Sequence, residues 1–90
     1  MKYDKIDKYL ANKLYETRVV KRITQEDMTK NISAILKANG FKGIERTTYS
    51  HYECGIRSMP LEVLQASCKY LGLDWQTIFN EALEDAKIIK

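Results

Sequence analysis

Apolar residues recur every three or four positions along nearly the whole chain, and nowhere do they alternate over four or more residues. That period belongs to the α-helix rather than to a half-buried strand. Ile6, Leu10 and Leu14 are spaced by four, with Tyr3 and Tyr9 beside them, and predict an amphipathic helix over residues 4–20. Asp4 and Asp7 fall in its first turn and Lys21 and Arg22 follow its end, as the helix dipole favours. Thr24 reads as the cap of a second helix, answered by the acid at Asp27. Met28, Ile32, Ile35 and Leu36 form its buried stripe. Asn39-Gly40 stops it, because glycine accepts the left-handed conformation beyond a helix C-terminus, and Phe41-Lys42-Gly43 is a turn.

A third helix fits Glu45 to Cys54, with Tyr49 and Tyr52 on its inner face and Gly55 as its stop. Ser58-Met59-Pro60 predicts the start of a fourth, with Ser58 as cap and Pro60 in the first turn. Leu61, Leu64, Cys68 and Leu71 are expected on its core face, and Gly72 ends it. Asp74 caps a fifth helix, over about 74–88, whose broad apolar face carries Trp75, Ile78, Phe79, Ala82, Leu83 and Ala86. No sheet is expected, so the fold class is an all-α bundle of five helices.

Ninety residues suit one domain, 1–90, with little room for a second core. Two cysteines do not make a disulfide framework. The first ten residues, MKYDKIDKYL, are charged throughout and show no signal peptide, and no apolar run is long enough for a membrane span. The expectation is a cytoplasmic protein. Charge is uneven: residues 1–57 carry 12 Lys/Arg and 7 Asp/Glu, whereas residues 58–90 carry 3 and 5. A basic front half with an acidic tail fits a domain that turns one face to a polyanion.

Specific runs then narrow the class. Ile23-Thr24-Gln25-Glu26-Asp27-Met28 resembles the L-T-Q-E-E-L opening of helix two in the Cro and phage-repressor family, also called the XRE family. Arg46-Thr47-Thr48-Tyr49-Ser50-His51-Tyr52-Glu53-Cys54-Gly55 resembles that family's recognition helix, R-x-T-[IY]-S-x-[YW]-E-x-G. Arg18, Arg57, Pro60-Leu61-Glu62, Leu64, Leu71-Gly72-Leu73 and Ile78-Phe79 extend the resemblance over residues 18–79. It implies a helix-turn-helix domain of the lambda-repressor-like type that binds double-stranded DNA. One departure stands out. Thr24 and Glu53 are 29 positions apart, roughly ten more than in most members, whose helix two is brief and whose turn is short. Helix two is therefore elongated here, and the approach angle of the recognition helix is left open.

On this resemblance the base-reading positions fall on Arg46, Thr47 and His51. An arginine there can donate two hydrogen bonds to guanine, and a threonine can meet a thymine methyl. Thr48, Ser50, Lys42 and Arg57 suit backbone contacts, and Gln25 suits a phosphate at the start of helix two. Arg18 and Glu53 are the family's partly buried ion pair, a structural tie between helix one and the recognition helix. Proteins of this type commonly dimerise so that two recognition helices enter successive major grooves. The broad face of helix five makes it the expected dimer surface, through Ile78, Phe79, Leu83 and Ala86, with Ile88-Ile89 continuing past it.

Catalysis finds little support. There is no Gly-rich phosphate loop, GxSxG or HExxH. His51 and Cys54 are three apart on a helix, but no second pair completes a metal site, so no metal or cofactor is expected. The expected function is a sequence-specific transcriptional regulator, a repressor reading the major groove with helix 45–54. The alternative is a protein-interaction module on the same fold, such as an antitoxin or a phage-encoded inhibitor.

Overall fold

The computed structural model describes residues 4–86. Five helices follow in order: α1 (Asp4–Val20), α2 (Gln25–Ala38), α3 (Arg46–Glu53), α4 (Leu61–Leu71) and α5 (Trp75–Asp85), with no strand among the described residues. The all-α five-helix bundle expected from periodicity is thus observed. Tyr3, Ile88 and Ile89 lie outside the described residues.

The helix ends follow from local chemistry. Thr24 is the N-cap of α2, its hydroxyl accepting from the Asp27 N–H at 3.0 Å. Asp74 caps α5, its carboxylate accepting from the Thr77 N–H at 3.3 Å and the Thr77 hydroxyl at 2.6 Å. Past α2, the Gly40 N–H donates to the Lys37 carbonyl and the Phe41 N–H to that of Leu36. This paired closure is a Schellman motif, and it needs the left-handed backbone seen at Gly40, φ 84°. α1 closes in the same way with the wrong residue. The Arg22 N–H donates to Val19 and the Ile23 N–H to Arg18, with Arg22 itself at φ 59°. Arg22→Gly is therefore expected to raise stability by roughly 0.5–1 kcal/mol, because glycine adopts this region without a Cβ clash. Thermal melts of the two proteins at equal concentration check this.

The fourth helix departs from expectation. Its N-cap is Pro60, with no side-chain cap. Ser58 lies too far ahead of Leu61 to cap and instead donates to Asp7 Oδ2 at 2.7 Å. Leu61 is exposed rather than in the core. Helical side chains lean toward the N-terminus, and Leu61, as the first residue of α4, has no preceding turn of that helix beneath it. Leu64, Cys68 and Leu71 are buried as expected, and burial pushes the Cys68 thiol up to about 11.

One core cluster draws on all five helices, with Leu14, Met28, Ile32, Leu36, Tyr49 and Leu71 among its most buried members. α1 packs chiefly on α5 and α2 on α4, while α3 lies against both α1 and α2. α2 stays helical to Ala38, carried by the continuing stripe of Ile32, Ile35 and Leu36.

Candidate nucleic-acid interface

α3 has only eight residues and no side-chain N-cap, so its own turns cannot hold it. Packing does. Tyr49 is fully buried and Tyr52 nearly so, which turns the opposite face outward. The core role expected for both tyrosines is what the structure displays.

Glu53 is the second anchor. Arg18 donates to it in a two-pronged fashion, Nε to Oε2 and Nη2 to Oε1, both at 2.8 Å. The third arm of the same guanidinium, Nη1, reaches the Ile23 carbonyl at 2.7 Å. Arg18 therefore clamps α1, the turn before α2 and the end of α3 together. The pair is shielded: the side chains are 11% and 2% exposed for Arg18 and Glu53. Gln25 adds a third hydrogen bond, its Nε2 donating to Glu53 Oε1 at 3.1 Å. Burial would raise the Glu53 carboxyl, but the bonds from Arg18 and Gln25 outweigh it and hold it below its ordinary 4.5. For Tyr49, burial first and the neighbouring Glu53 next push ionisation well above its ordinary value.

A carboxyl held low in the folded state stabilises the fold above its unfolded value, and that contribution is lost as pH falls through the depressed one. Stability is thus expected to drop below about pH 4.5. The drop should be shallower in the double variant Arg18→Met/Glu53→Leu, which has no such carboxylate. Melts across an acid series of both proteins test it, and parallel profiles would show that Glu53 does not carry the dependence.

The outer face of α3 is polar. Arg46 and Thr47 are exposed, and Ser50 and His51 are half-buried. With Gln25 these four line one open pocket of about 290 Å³ between α2 and α3. Spacings of one, four and five residues put them on a single helical face. Thr48 is half-buried and does not line this pocket. Arg57 is exposed in the turn after α3, and Lys42 is exposed in the loop before it. Gln25 differs from the phosphate contact expected of it in one respect: its amide nitrogen already serves Glu53, so it ties the start of α2 to the buried pair. Nothing in the pattern of apolar positions signals that bond, because a glutamine in a first helical turn reads as solvated.

The helix-five surface needs a correction. Ile78 is 3% exposed and belongs to the core, so it is not available to a partner. α5 must cover both α1 and α4, and that consumes the middle of its apolar face. Phe79, Leu83 and Ala86 are partly buried against the core. Phe79 and Leu83 do line a largely apolar groove of about 440 Å³ with Ile6, Leu10, Met59, Leu61 and Leu64, and with Asp7 as its one charged lining residue. Exposed Leu61, the first residue of α4, adds free apolar surface to this groove.

Among the described residues no three His, Cys, Asp or Glu side chains gather as metal ligands. None of the described helices is long and apolar enough to cross a membrane. No family model matches the chain, and neither a curated protein nor a solved structure matches it significantly.

Proposed function

We propose that this chain is a sequence-specific DNA-binding regulator of the Cro and phage-repressor type, a cytoplasmic repressor that reads the major groove with α3 and its flanking residues. One observation carries the reading. A short helix, locked from behind by Tyr49, Tyr52 and the Arg18–Glu53 pair, holds Arg46, Thr47, Ser50 and His51 on one outward face. A major groove admits one such helix, and base edges are read by side chains near its N-terminus. Arg46, Thr47 and His51 are assigned to base contacts, and Gln25, Thr48, Ser50, Lys42 and Arg57 to the backbone. Selecting binding sequences from a random duplex pool, followed by gel shifts over a salt series, tests this. A recovered consensus with salt-dependent affinity supports it, and a pool that never enriches overturns it.

The apolar groove bears on assembly. One domain reads only a few base pairs, too few for selectivity in a genome. We assign the groove beside α5 to a second copy of the chain, giving a two-fold dimer on an inverted repeat. Leu61→Glu is expected to leave the fold intact, because Leu61 is already exposed, and to abolish dimer in sedimentation, because it sets an unpaired carboxylate into an apolar contact. Equal sedimentation of both proteins as monomers, with full protection of a single half-site, refutes the dimer. The same groove favours the second reading, a protein-interaction module, and a chain that enriches no DNA sequence yet sediments as a monomer supports that reading instead.

A further inference from the structure

The elongated α2 does more than fill space, because the loop behind it is fastened to it. Ser33 Oγ accepts from the Ile44 N–H at 3.0 Å and donates to the Ile44 carbonyl at 3.1 Å. A single hydroxyl thus satisfies both backbone groups of a residue two positions ahead of Arg46. Gly43 lies so close to the same helix that a Cβ there would stand 2.8 Å from Lys37 Cε and 3.2 Å from Ser33 Cβ. The Lys37 side chain therefore runs across Gly43 and ends beside the loop that carries Lys42. Both lysines are exposed, and neither forms an ion pair among the described residues. Glu45, exposed at the N-cap of α3, is the one acid between residues 37 and 46, against the cations Lys37, Lys42 and Arg46.

We infer that Lys37 and Lys42 form a two-cation ledge, fastened to α2 through Ser33 and Ile44, that grips the phosphate backbone of duplex DNA beside the base pairs read by α3. The inference rests on the DNA-reading role proposed above. Phosphate contacts position a protein on the duplex without reading sequence, and they require cations at a fixed offset from the reading helix. The Ser33–Ile44 bonds supply that offset. Ledge and recognition helix are held as one body, so little loop freedom is lost on binding. The length added between helices two and three thereby becomes part of the docking surface.

The test uses the whole chain and a short labelled duplex of mixed sequence, with affinity read by anisotropy across a salt series. Lys37→Gln/Lys42→Gln is expected to reduce the slope of log affinity against log salt by roughly 1.8, and to weaken binding roughly tenfold at physiological salt. The consensus recovered from a random pool should not change. A control pair, Lys5→Gln/Lys13→Gln, removes equal charge from the α1 stripe on either side of Tyr9, whose hydroxyl donates to Glu81 of α5. It should leave the slope unaltered. Equal losses from both pairs would mean a general charge effect and overturn the ledge. An unaltered slope in Lys37→Gln/Lys42→Gln, with Arg46→Ala still weakening binding, would overturn the ledge and leave the DNA reading standing. A wild-type chain that binds no duplex at any salt would overturn both.

Discussion

Arg18→Ala is expected to destabilise the fold by roughly 3–5 kcal/mol, the cost typical of stripping one partner from a buried pair. The exposures of 11% and 2% put this pair close to that limit. The variant loses the two bonds to Glu53 and the bond to the Ile23 carbonyl, and it leaves a carboxylate in the interior. A small domain holds only about 5–15 kcal/mol in total, so the melt should fall by well over ten degrees. The double variant Arg18→Met/Glu53→Leu separates the stranded charge from the lost contacts. Replacing a whole buried pair by apolar side chains is often close to neutral. The double is therefore expected to recover much of the loss, short of the Ile23 bond. Strongly non-additive melts are the expected signature, and small additive effects would show that the two charges do not depend on each other. Gln25→Ala should be milder, because Glu53 keeps both bonds from Arg18.

Much of this architecture was legible along the chain because its causes are local. Periodic apolar residues place the five helices. Thr24 and Asp74 announce their starts, and Gly40 marks a stop that the backbone uses. Errors arose where the cause is a neighbour in space. Leu61 satisfies the stripe that holds Leu64 and Cys68, yet as the first residue of α4 it stays exposed on the groove beside α5. Ser58 has a capping side chain, but Asp7 on α1 claims it. Ile78 shares its face with Phe79 and Leu83, and only the crossing of α5 over α1 and α4 decides which of them goes inside. The outward set Arg46, Thr47, Ser50 and His51 was legible from helical spacing together with the resemblance. The links from Gln25 to Glu53 and from Ser33 to Ile44 were not. Each joins polar side chains to groups 11 to 28 positions away, and no periodicity encodes such a pairing.

Arg46→Ala is expected to weaken binding to the selected sequence by roughly 1–3 kcal/mol and to relax preference at one base pair. Arg46 is the first residue of α3 and is exposed, and it takes part in no ion pair among the described residues. Its removal should therefore leave the melt nearly unchanged, which separates it from Arg18→Ala. Position favours base contact, because the N-terminal end of a recognition helix is the part that reaches the groove floor. A guanidinium there can donate to both acceptors of a guanine, whereas an ammonium supplies a point charge without the fork. Arg46→Lys is thus expected to keep most of the salt dependence and still lose the base preference. Arg57→Ala should do the reverse: equal weakening on every sequence, with the salt slope smaller by roughly 0.9. If Arg46→Ala keeps both its affinity and its consensus, Arg46 is not a reader. The base contacts would then have to come from Thr47 and His51 alone.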